Sequence, residues 1–237
     1  MRKILLALIV LGFLAPAMSQ NVQLHYDFGK DRQYLTSTVE MFKPDKWGNT
    51  FFFIDMDYGN DEIKGVQSAY WEIARAVSVC KKVPIALHLE YNGGFGQFYT
   101  QTGNYAFQIN NAYLGGVEYS KNNSDFTKGF TLQAMYKYIQ GKNNNSFQLT
   151  GVWYMHMLKK KLSFTGFADF WREDNTYTTP ENPENPEKTK FVFLSEPQLW
   201  YNFTQNLSAG GEVELSSNFG GVKGYAVNPT LALKWNF

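Results

Sequence analysis

Aromatic rings and carboxylates alternate along one short segment of the chain. In the stretch from 47 to 58, WGNTFFFIDMDY, the residues Phe51, Phe53, Asp55 and Asp57 occupy every second position. In an extended chain these side chains share one face, because successive residues of a strand point to opposite sides. A ring can stack on a flat group, worth about 1–3 kcal/mol for each stacked base, and a carboxylate accepts hydrogen bonds from hydroxyl or amino groups. The segment therefore suits a small solute with one flat apolar part and one polar part.

Similar residue types occur in the two preceding segments. We expect the solute to contact seven residues, which are Phe28, Glu40, Phe42, Phe51, Phe53, Asp55 and Asp57. For any single acid the alternative is packing or solvation inside a barrel, often beside a Lys or Arg on a neighbouring strand. Packing or solvation explains an acid inside a barrel more easily than a large ring that faces water. The hypothesis therefore rests mainly on Phe51 and Phe53.

The sequence gives little sign of catalysis. His25, His88 and His156 are its only histidines, and none has the HExxH spacing of a zinc site. A hydrolase that pairs His156 with Ser163 or Ser195 remains an alternative, because such sites are defined by geometry and not by sequence order. No nucleophile motif marks either serine. We expect no enzyme activity, no metal and no cofactor.

Composition excludes several classes of protein. The 22 basic and 21 acidic residues nearly cancel, which argues against binding a nucleic acid polymer. A single cysteine excludes an internal disulfide framework. Aromatic residues make up 17% of the chain while the mean hydropathy is −0.36. That combination favours neither a disordered chain nor a bundle of membrane-spanning helices.

Period-two hydropathy predicts that most of the chain forms strands. Each is close to the ~10 residues that a tilted strand needs to cross a bilayer. About twelve such segments are predicted, at 22–28, 33–42, 48–58, 68–79, 83–92, 111–120, 129–139, 146–157, 161–172, 190–202, 206–216 and 226–237. The segment 68–79 is the least regular, since Arg75 falls on its apolar face. We expect either a bulge there or an arginine that reaches the membrane surface.

The N-terminus predicts a secretory signal peptide over residues 1–19. Arg2 and Lys3 precede an apolar run from 4 to 14, and small residues precede Gln20, where we expect cleavage. The run is too short for a comfortable membrane span, although a retained anchor helix is the alternative. The remaining residues, 20–237, form one predicted β-barrel domain.

The connections between strands are of two kinds. Short turns are expected at 58–61 and at Gly220-Gly221. Longer loops are expected at 93–110 and at 174–190, and the prolines of the second exclude it from a central strand. Short turns at one end and longer loops at the other are typical of outer-membrane barrels.

Alternation alone leaves open whether the apolar face meets lipid or a soluble core. Three observations favour a transmembrane barrel: only 18% of residues are charged, aromatic residues recur near strand ends as in interfacial girdles, and the chain ends in an amphipathic strand whose last residue is Phe237. Such an ending resembles the insertion signal of bacterial outer-membrane proteins. We predict an all-β, closed antiparallel barrel of about 12 strands in the outer membrane of a Gram-negative bacterium.

If the apolar face meets lipid, the opposite face lines a lumen. The predicted lumenal residues are Asp27, Glu40, Phe42, Phe51, Phe53, Asp55, Asp57, Glu72, His88, Glu90, Glu118, Lys137, Tyr154, His156, Phe167, Asp169, Trp171, Glu196, Glu212, Glu214 and Lys234.

Three early segments and the last strand resemble the nucleoside-specific channel-forming (Tsx-like) outer-membrane family. They read Tyr26-Asp-Phe-Gly29, Val39-Glu-Met-Phe42 and, from 45 to 55, DKWGNTFFFID; the chain ends in Asn236-Phe237. The middle of the chain differs from this family, so membership of a related subfamily is an interpretation at least as good as a true nucleoside channel. The resemblance implies a monomeric barrel of about twelve strands that passes nucleosides or similar small polar solutes.

Three functions follow as hypotheses. The first is a passive channel for nucleosides or similar solutes, with the lipid bilayer and these solutes as its partners. The second is a non-conducting barrel whose loops at 93–110 and 174–190 bind a partner. The third is a barrel enzyme that acts on lipid or envelope material.

Overall fold

The computed structural model describes residues 19–30, 32–59, 63–80, 83–142, 145–179 and 182–237. Among these residues, no helix is long and apolar enough to span a membrane. The predicted signal peptide lies outside the described residues except for Ser19, as do Asn60 and Asp61 of the first predicted turn. The strands are β1 (Ser19–Asp27), β2 (Leu35–Asp45), β3 (Gly48–Tyr58), β4 (Val66–Ser78), β5 (Ile85–Thr100), β6 (Gly103–Asn122), β7 (Lys128–Ile139), β8 (Ser146–Met157), β9 (Leu162–Thr179), β10 (Asn182–Ser195), β11 (Gln198–Asn202), β12 (Leu207–Ser217) and β13 (Tyr225–Asn236).

These strands form one closed antiparallel barrel. Each strand from β1 to β9 pairs with the next along the chain, and β1 also pairs with β13, which closes the ring. Both β10 and β11 pair with β9 on one side and with β12 on the other. They are one strand interrupted at Glu196 and Pro197, so the barrel has twelve strand positions. The predicted fold class is confirmed.

The two ends of the barrel differ. At one end, here called the terminal end, lie the start of β1, the end of β13 and the short connections that follow β2, β4, β6, β8 and the β10–β11 strand. At the hairpin end lie the 28–34 connection, the 218–224 turn and two long hairpins. Gly220 and Gly221 in that turn have φ values of 60° and 80°, a left-handed conformation that glycine adopts without strain.

The register shows which side chains face the lumen. Along β1 buried and exposed residues alternate strictly, with Asn21, Gln23, His25 and Asp27 buried. Because directly paired residues share a face, this assignment extends around the ring through the pairing of each strand with its neighbour. Every residue of the predicted lumenal set falls on the inner face.

The outer face is apolar. Leu24, Leu89, Leu132, Leu199 and Leu231 all point outward and are well exposed. A continuous exposed apolar surface of this kind is costly in water and is the expected lipid-facing belt of a transmembrane barrel. The prediction of an outer-membrane type of barrel is therefore confirmed.

The prediction of a loop at 93–110 is wrong. Pairing of β5 with β6 continues from Gly94↔Ile109 to Thr100↔Gly103, so the segment is an extended hairpin. Beyond the membrane a hairpin needs no apolar face toward lipid. The hydropathy alternation that marks a spanning strand can therefore end while backbone pairing continues.

The predicted loop at 174–190 is also mostly strand. β9 runs to Thr179, and β10 begins at Asn182 and includes Pro183 and Pro186. The register shifts between Asn182 and Glu187. At this height β10 pairs with β9 alone, since its pairing with β12 starts only at Phe193. A free edge and a bulge tolerate the missing N–H of proline.

Arg75 reaches the end of the barrel instead of causing a bulge. Its guanidinium donates hydrogen bonds to both carboxylate oxygens of Asp45, at 2.6 and 3.0 Å, and to Thr50 at 3.0 Å. Pairing of β3 with β4 is regular from Gly48 to Asp57. Of the two explanations for this segment, the bulge is therefore wrong, and an arginine that reaches the membrane surface stays a prediction.

The interior is packed on one side and more open on the other. A buried apolar cluster on the β6–β10 side includes Leu114, Met135, Trp171 and Val192. By contrast, every lumenal side chain of β2 and β3 keeps some exposure. Six of the seven predicted site residues therefore lie on strands whose lumenal side chains are not fully buried.

Candidate functional site

Six predicted site residues form one continuous surface, here called the β2–β3 patch. It consists of Glu40 and Phe42 on β2 and Phe51, Phe53, Asp55 and Asp57 on β3, all on the lumenal face. Glu40 pairs directly with Phe53, and Phe42 pairs with Phe51. The two-residue period of adjacent antiparallel strands is what brings rings and carboxylates together here.

Phe28 lies apart from the patch. It follows the end of β1, is 54% exposed and packs edge-on against the outward-facing Tyr26, with ring centroids 4.9 Å apart. Phe28 continues the outer side of β1, since its neighbour Asp27 faces inward. Its place in the predicted site is therefore wrong.

The rings of the β2–β3 patch continue onto β4. The centroids of Phe51 and Phe53 are 6.0 Å apart, and those of Phe53 and Tyr70 are also 6.0 Å apart. The Tyr70 hydroxyl donates a hydrogen bond of 2.7 Å to Glu72 Oε1. Sequence analysis missed Tyr70, although its two-residue spacing from Glu72 was a usable signal.

Neighbouring hydroxyl groups hold the two aspartates of the patch. Thr38 donates to Asp55 Oδ1 at 2.5 Å. Thr36 and Ser68, on the strands at either side, donate to the two oxygens of Asp57 at 2.7 and 2.5 Å. These contacts fix the carboxylates in place without neutralising their charge.

A second lumenal cluster, here called the Trp200 cluster, spans β1, β11, β12 and β13. Lys234 Nζ lies 3.8 Å from the centroid of Trp200, and the Trp200 indole N–H donates to Gln198 at 3.0 Å. The His25 ring meets Trp200 edge-on, and His25 Nδ1 lies 3.6 Å from Glu212 Oε1. These contacts bridge strands that are not adjacent, so they narrow the lumen at this height.

His88 lies between two carboxylates on β5 and β6. Its Nε2 is 2.9 Å from Glu90 Oε2, and its Nδ1 is 2.9 Å from Glu118 Oε2. All three side chains are at least nine-tenths buried. On the packed side of the barrel, Lys137 donates to Gln148 at 2.7 Å.

At the hairpin end the 28–34 connection sends Arg32 toward the lumen. Arg32 forms ion pairs with Asp27 at 3.1 Å and with Glu214 at 2.7 Å. Burial alone would lower the pKa of Arg32, but the charges of Glu214, Tyr34 and Asp27 raise it overall. Beside it opens a cavity of about 300 Å³, lined in part by Tyr34 and Tyr58.

Most of the lumenal acids have no such partner. Within the described part of the chain, an Arg or His nitrogen lies within 4.0 Å of a carboxylate oxygen of Asp27, Glu90, Glu118, Glu212 and Glu214. Six others have no such contact: Glu40, Asp55, Asp57, Glu72, Asp169 and Glu196. Among the described residues, the lumenal acids therefore outnumber the basic groups that contact them.

Ser163 and His156 do lie together. Ser163 Oγ is 2.9 Å from His156 Nδ1 and accepts a hydrogen bond from Asn202 at 2.9 Å. No carboxylate of the described residues is hydrogen-bonded to His156, and Ser163 is buried. Ser195 instead donates to the backbone oxygen of Phe167 at 2.8 Å.

The chain is similar to several solved β-barrel structures. A structure described as "KdgM porin in complex with disordered oligogalacturonate" is similar with a TM-score of 0.50 and 10% sequence identity, over 92% of this chain and 99% of that chain. A second KdgM porin structure gives a TM-score of 0.48, 12% identity and the same coverage. The translocator domain of the autotransporter NalP from Neisseria meningitidis gives 0.46 and 10% identity, over 100% and 94% of the two chains.

The comparison with curated proteins found no match. A family model matches residues 19–237, which include every strand of the barrel and the whole β2–β3 patch. The chain is therefore a member of the DUF5020 family, described as a domain of unknown function.

Proposed function

We propose that this barrel is an outer-membrane channel for the passive uptake of nucleosides or similar small polar solutes. The observation that carries the proposal is the accessible β2–β3 patch, where the Phe51 and Phe53 rings adjoin the Asp55 and Asp57 carboxylates inside a closed barrel. A nucleoside has a flat base that can stack on the rings and a ribose that can donate hydrogen bonds to the acids.

A channel works best with several weak binding sites along its lumen. The solute must leave as readily as it enters, so several modest contacts serve transport better than one tight site. The series from Phe51 through Phe53 to Tyr70 provides such successive contacts. The similarity to a solved KdgM porin supports the barrel, and the resemblance to Tsx-like proteins supports the solute class.

The proposal also covers the membrane that holds the channel, its oligomeric state and the removal of its signal peptide. We place it in the outer membrane as a monomer, after removal of residues 1–19 as a signal peptide. The apolar outer belt supports the lipid setting.

Liposome swelling with matched solutes tests the function. Vesicles that contain the refolded protein should swell faster in uridine or adenosine than in a disaccharide of similar osmolarity. Replacing Phe51 and Phe53 by Ala should abolish this preference, because the stacking surface is lost, while the barrel still resists detergent before boiling.

Replacement of Phe95 and Phe98 by Ala is the matched control. Both rings are exposed outside the lumen, with Phe95 on the outer face beside β4 and Phe98 on the protruding part of the β5–β6 hairpin, so solute preference should not change. Absence of swelling in every solute, or equal swelling in all of them, would disprove the nucleoside channel.

One observation favours the enzyme alternative, namely the 2.9 Å contact between Ser163 and His156. A hydrolase needs an exposed nucleophile and a group that orients the histidine. The burial of Ser163 argues against it. A Ser163→Ala variant should leave any lipase or esterase signal of the preparation unchanged.

A further inference from the structure

One part of the lumen contains hydrogen-bond acceptors without donors. Glu90 Oε1 and Asn92 Oδ1 are both buried and have no hydrogen-bond partner. The two side chains are 7% and 3% exposed. Buried oxygen atoms without donors cost on the order of 1–3 kcal/mol each, so their retention calls for an explanation.

Glu72 lies on the same face beside these two acceptors. The register pairs Glu72 on β4 directly with Asn92 on β5, at a Cβ separation of about 4.5–5.5 Å for such pairs. Glu90 is two residues from Asn92 along β5, opposite the small Ala74. Glu72, Glu90 and Asn92 are here called the acceptor triad.

The positive groups nearby leave these acceptor atoms without a hydrogen bond. His88 contacts Glu90 through Oε2, which leaves Oε1 free. Lys137 donates to Gln148 and lies 4.4 Å from the centroid of the Trp171 ring, and it has no ion pair with any described residue at 4.0 Å or less. The Tyr70 hydroxyl occupies one oxygen of Glu72, and no described residue donates to the other.

We propose that the acceptor triad is a binding subsite for a primary ammonium group of a solute in the lumen. Three free acceptors, one on each residue, match the three N–H donors of an ammonium group. Two of them belong to carboxylates, which form the stronger, charge-assisted hydrogen bonds. The inference rests on the proposed channel for the source of its ligand, and it adds solutes that carry a primary ammonium group to those that the channel takes.

Calorimetry with putrescine (1,4-diaminobutane) tests the subsite directly. The full barrel, refolded in a non-ionic detergent at fixed ionic strength, should bind putrescine and should not bind 1,4-butanediol, its uncharged analogue. Glu72→Gln and Glu90→Gln should each weaken putrescine binding about tenfold, because each replaces the negatively charged acceptor of the ammonium group with a neutral, weaker one.

Glu212→Gln is the matched control. It removes a lumenal carboxylate on β12, on the other side of the barrel from the triad, where Gln198 already donates to the side chain. Binding should change less than about threefold, as expected for loss of a distant charge in a screened lumen. Resistance to detergent before boiling checks that each variant is folded.

Three results would overturn the subsite: no putrescine binding, equal binding of 1,4-butanediol, or equal weakening in Glu212→Gln. Swelling assays on the same preparations separate this proposal from the channel. Solute-dependent swelling without putrescine binding disproves the subsite alone. Triad-dependent binding without any swelling disproves the channel and supports the subsite.

Discussion

Trp200 is the largest fully buried side chain among the described residues, at 1% exposure. It contacts Lys234, Gln198 and His25, so this one side chain connects β13, β11 and β1 inside the lumen. We expect Trp200→Ala to lower the free energy of unfolding by about 3–5 kcal/mol, because it leaves a cavity and removes the cation–π contact. Urea unfolding in lipid vesicles measures this.

Trp47→Ala is the comparison for that measurement. Trp47 lies in the turn between β2 and β3 and is 63% exposed. Its removal should change the free energy of unfolding by about 0.5 kcal/mol or less. If the two variants are equally stable, the Trp200 cluster does not contribute to stability.

At the residue scale, the two-residue alternation of the sequence identifies more lumenal residues than the predicted set contains. It placed Phe53 and Glu72 correctly on the lumenal face. The same parity extends from Glu72 to Tyr70, from Glu196 to Trp200 and from Asp27 to His25, so it would have found three lumenal residues that the predicted set lacks. Which acids lack a partner could not be predicted, because partners such as Arg32 and Glu214 are 182 positions apart in sequence.

At the element scale, the β5–β6 hairpin extends beyond its neighbours. Residues 98–105 pair only with one another, and Phe98 stacks on Tyr105 with centroids 5.8 Å apart. We expect replacement of 98–105 by a two-residue Asn-Gly turn to leave the barrel folded, because no other strand loses a partner. Resistance to detergent before boiling should be retained.

A deletion of eight residues within β7 is the matched control. Removal of 130–137 takes partners from both β6 and β8, so the ring cannot close. That variant should migrate as unfolded before and after heating. Loss of the folded band in the hairpin variant as well would show that the hairpin is required for assembly.

The spanning strands were predictable and their extensions were not. β3 and β8 have the predicted bounds, 48–58 and 146–157, because lipid on one side and a lumen on the other impose alternation. Beyond the membrane both faces of a hairpin meet water. The extensions at 93–110 and 174–190 are therefore visible only in the backbone pairing.

At the scale of the whole molecule, the alternation of apolar and polar residues does not tell whether the apolar face lies inside or outside the barrel. A soluble barrel with an apolar interior would show the same alternation. The register and the exposure of residues such as Leu132 and Leu231 determine the orientation, since these leucines point away from the lumen. The polar face, with its unpaired acids, is thereby enclosed, and both proposals depend on this arrangement.

A single arginine on the outer face tests that arrangement. Leu132 lies near the middle of β7 and is 54% exposed, so Leu132→Arg would place a charge in the lipid and cost about 2–4 kcal/mol near the midplane. Leu158→Arg is the control, since Leu158 lies in the β8–β9 turn and is 70% exposed, and its cost should be about 0–1 kcal/mol. Unfolding in lipid vesicles measures both. Because arginine is tolerated on a face that meets water, equal stability of the two variants would mean that Leu132 does not face hydrocarbon. A large difference would show that the leucines of the outer face define the membrane belt, with the β2–β3 patch and the acceptor triad inside it.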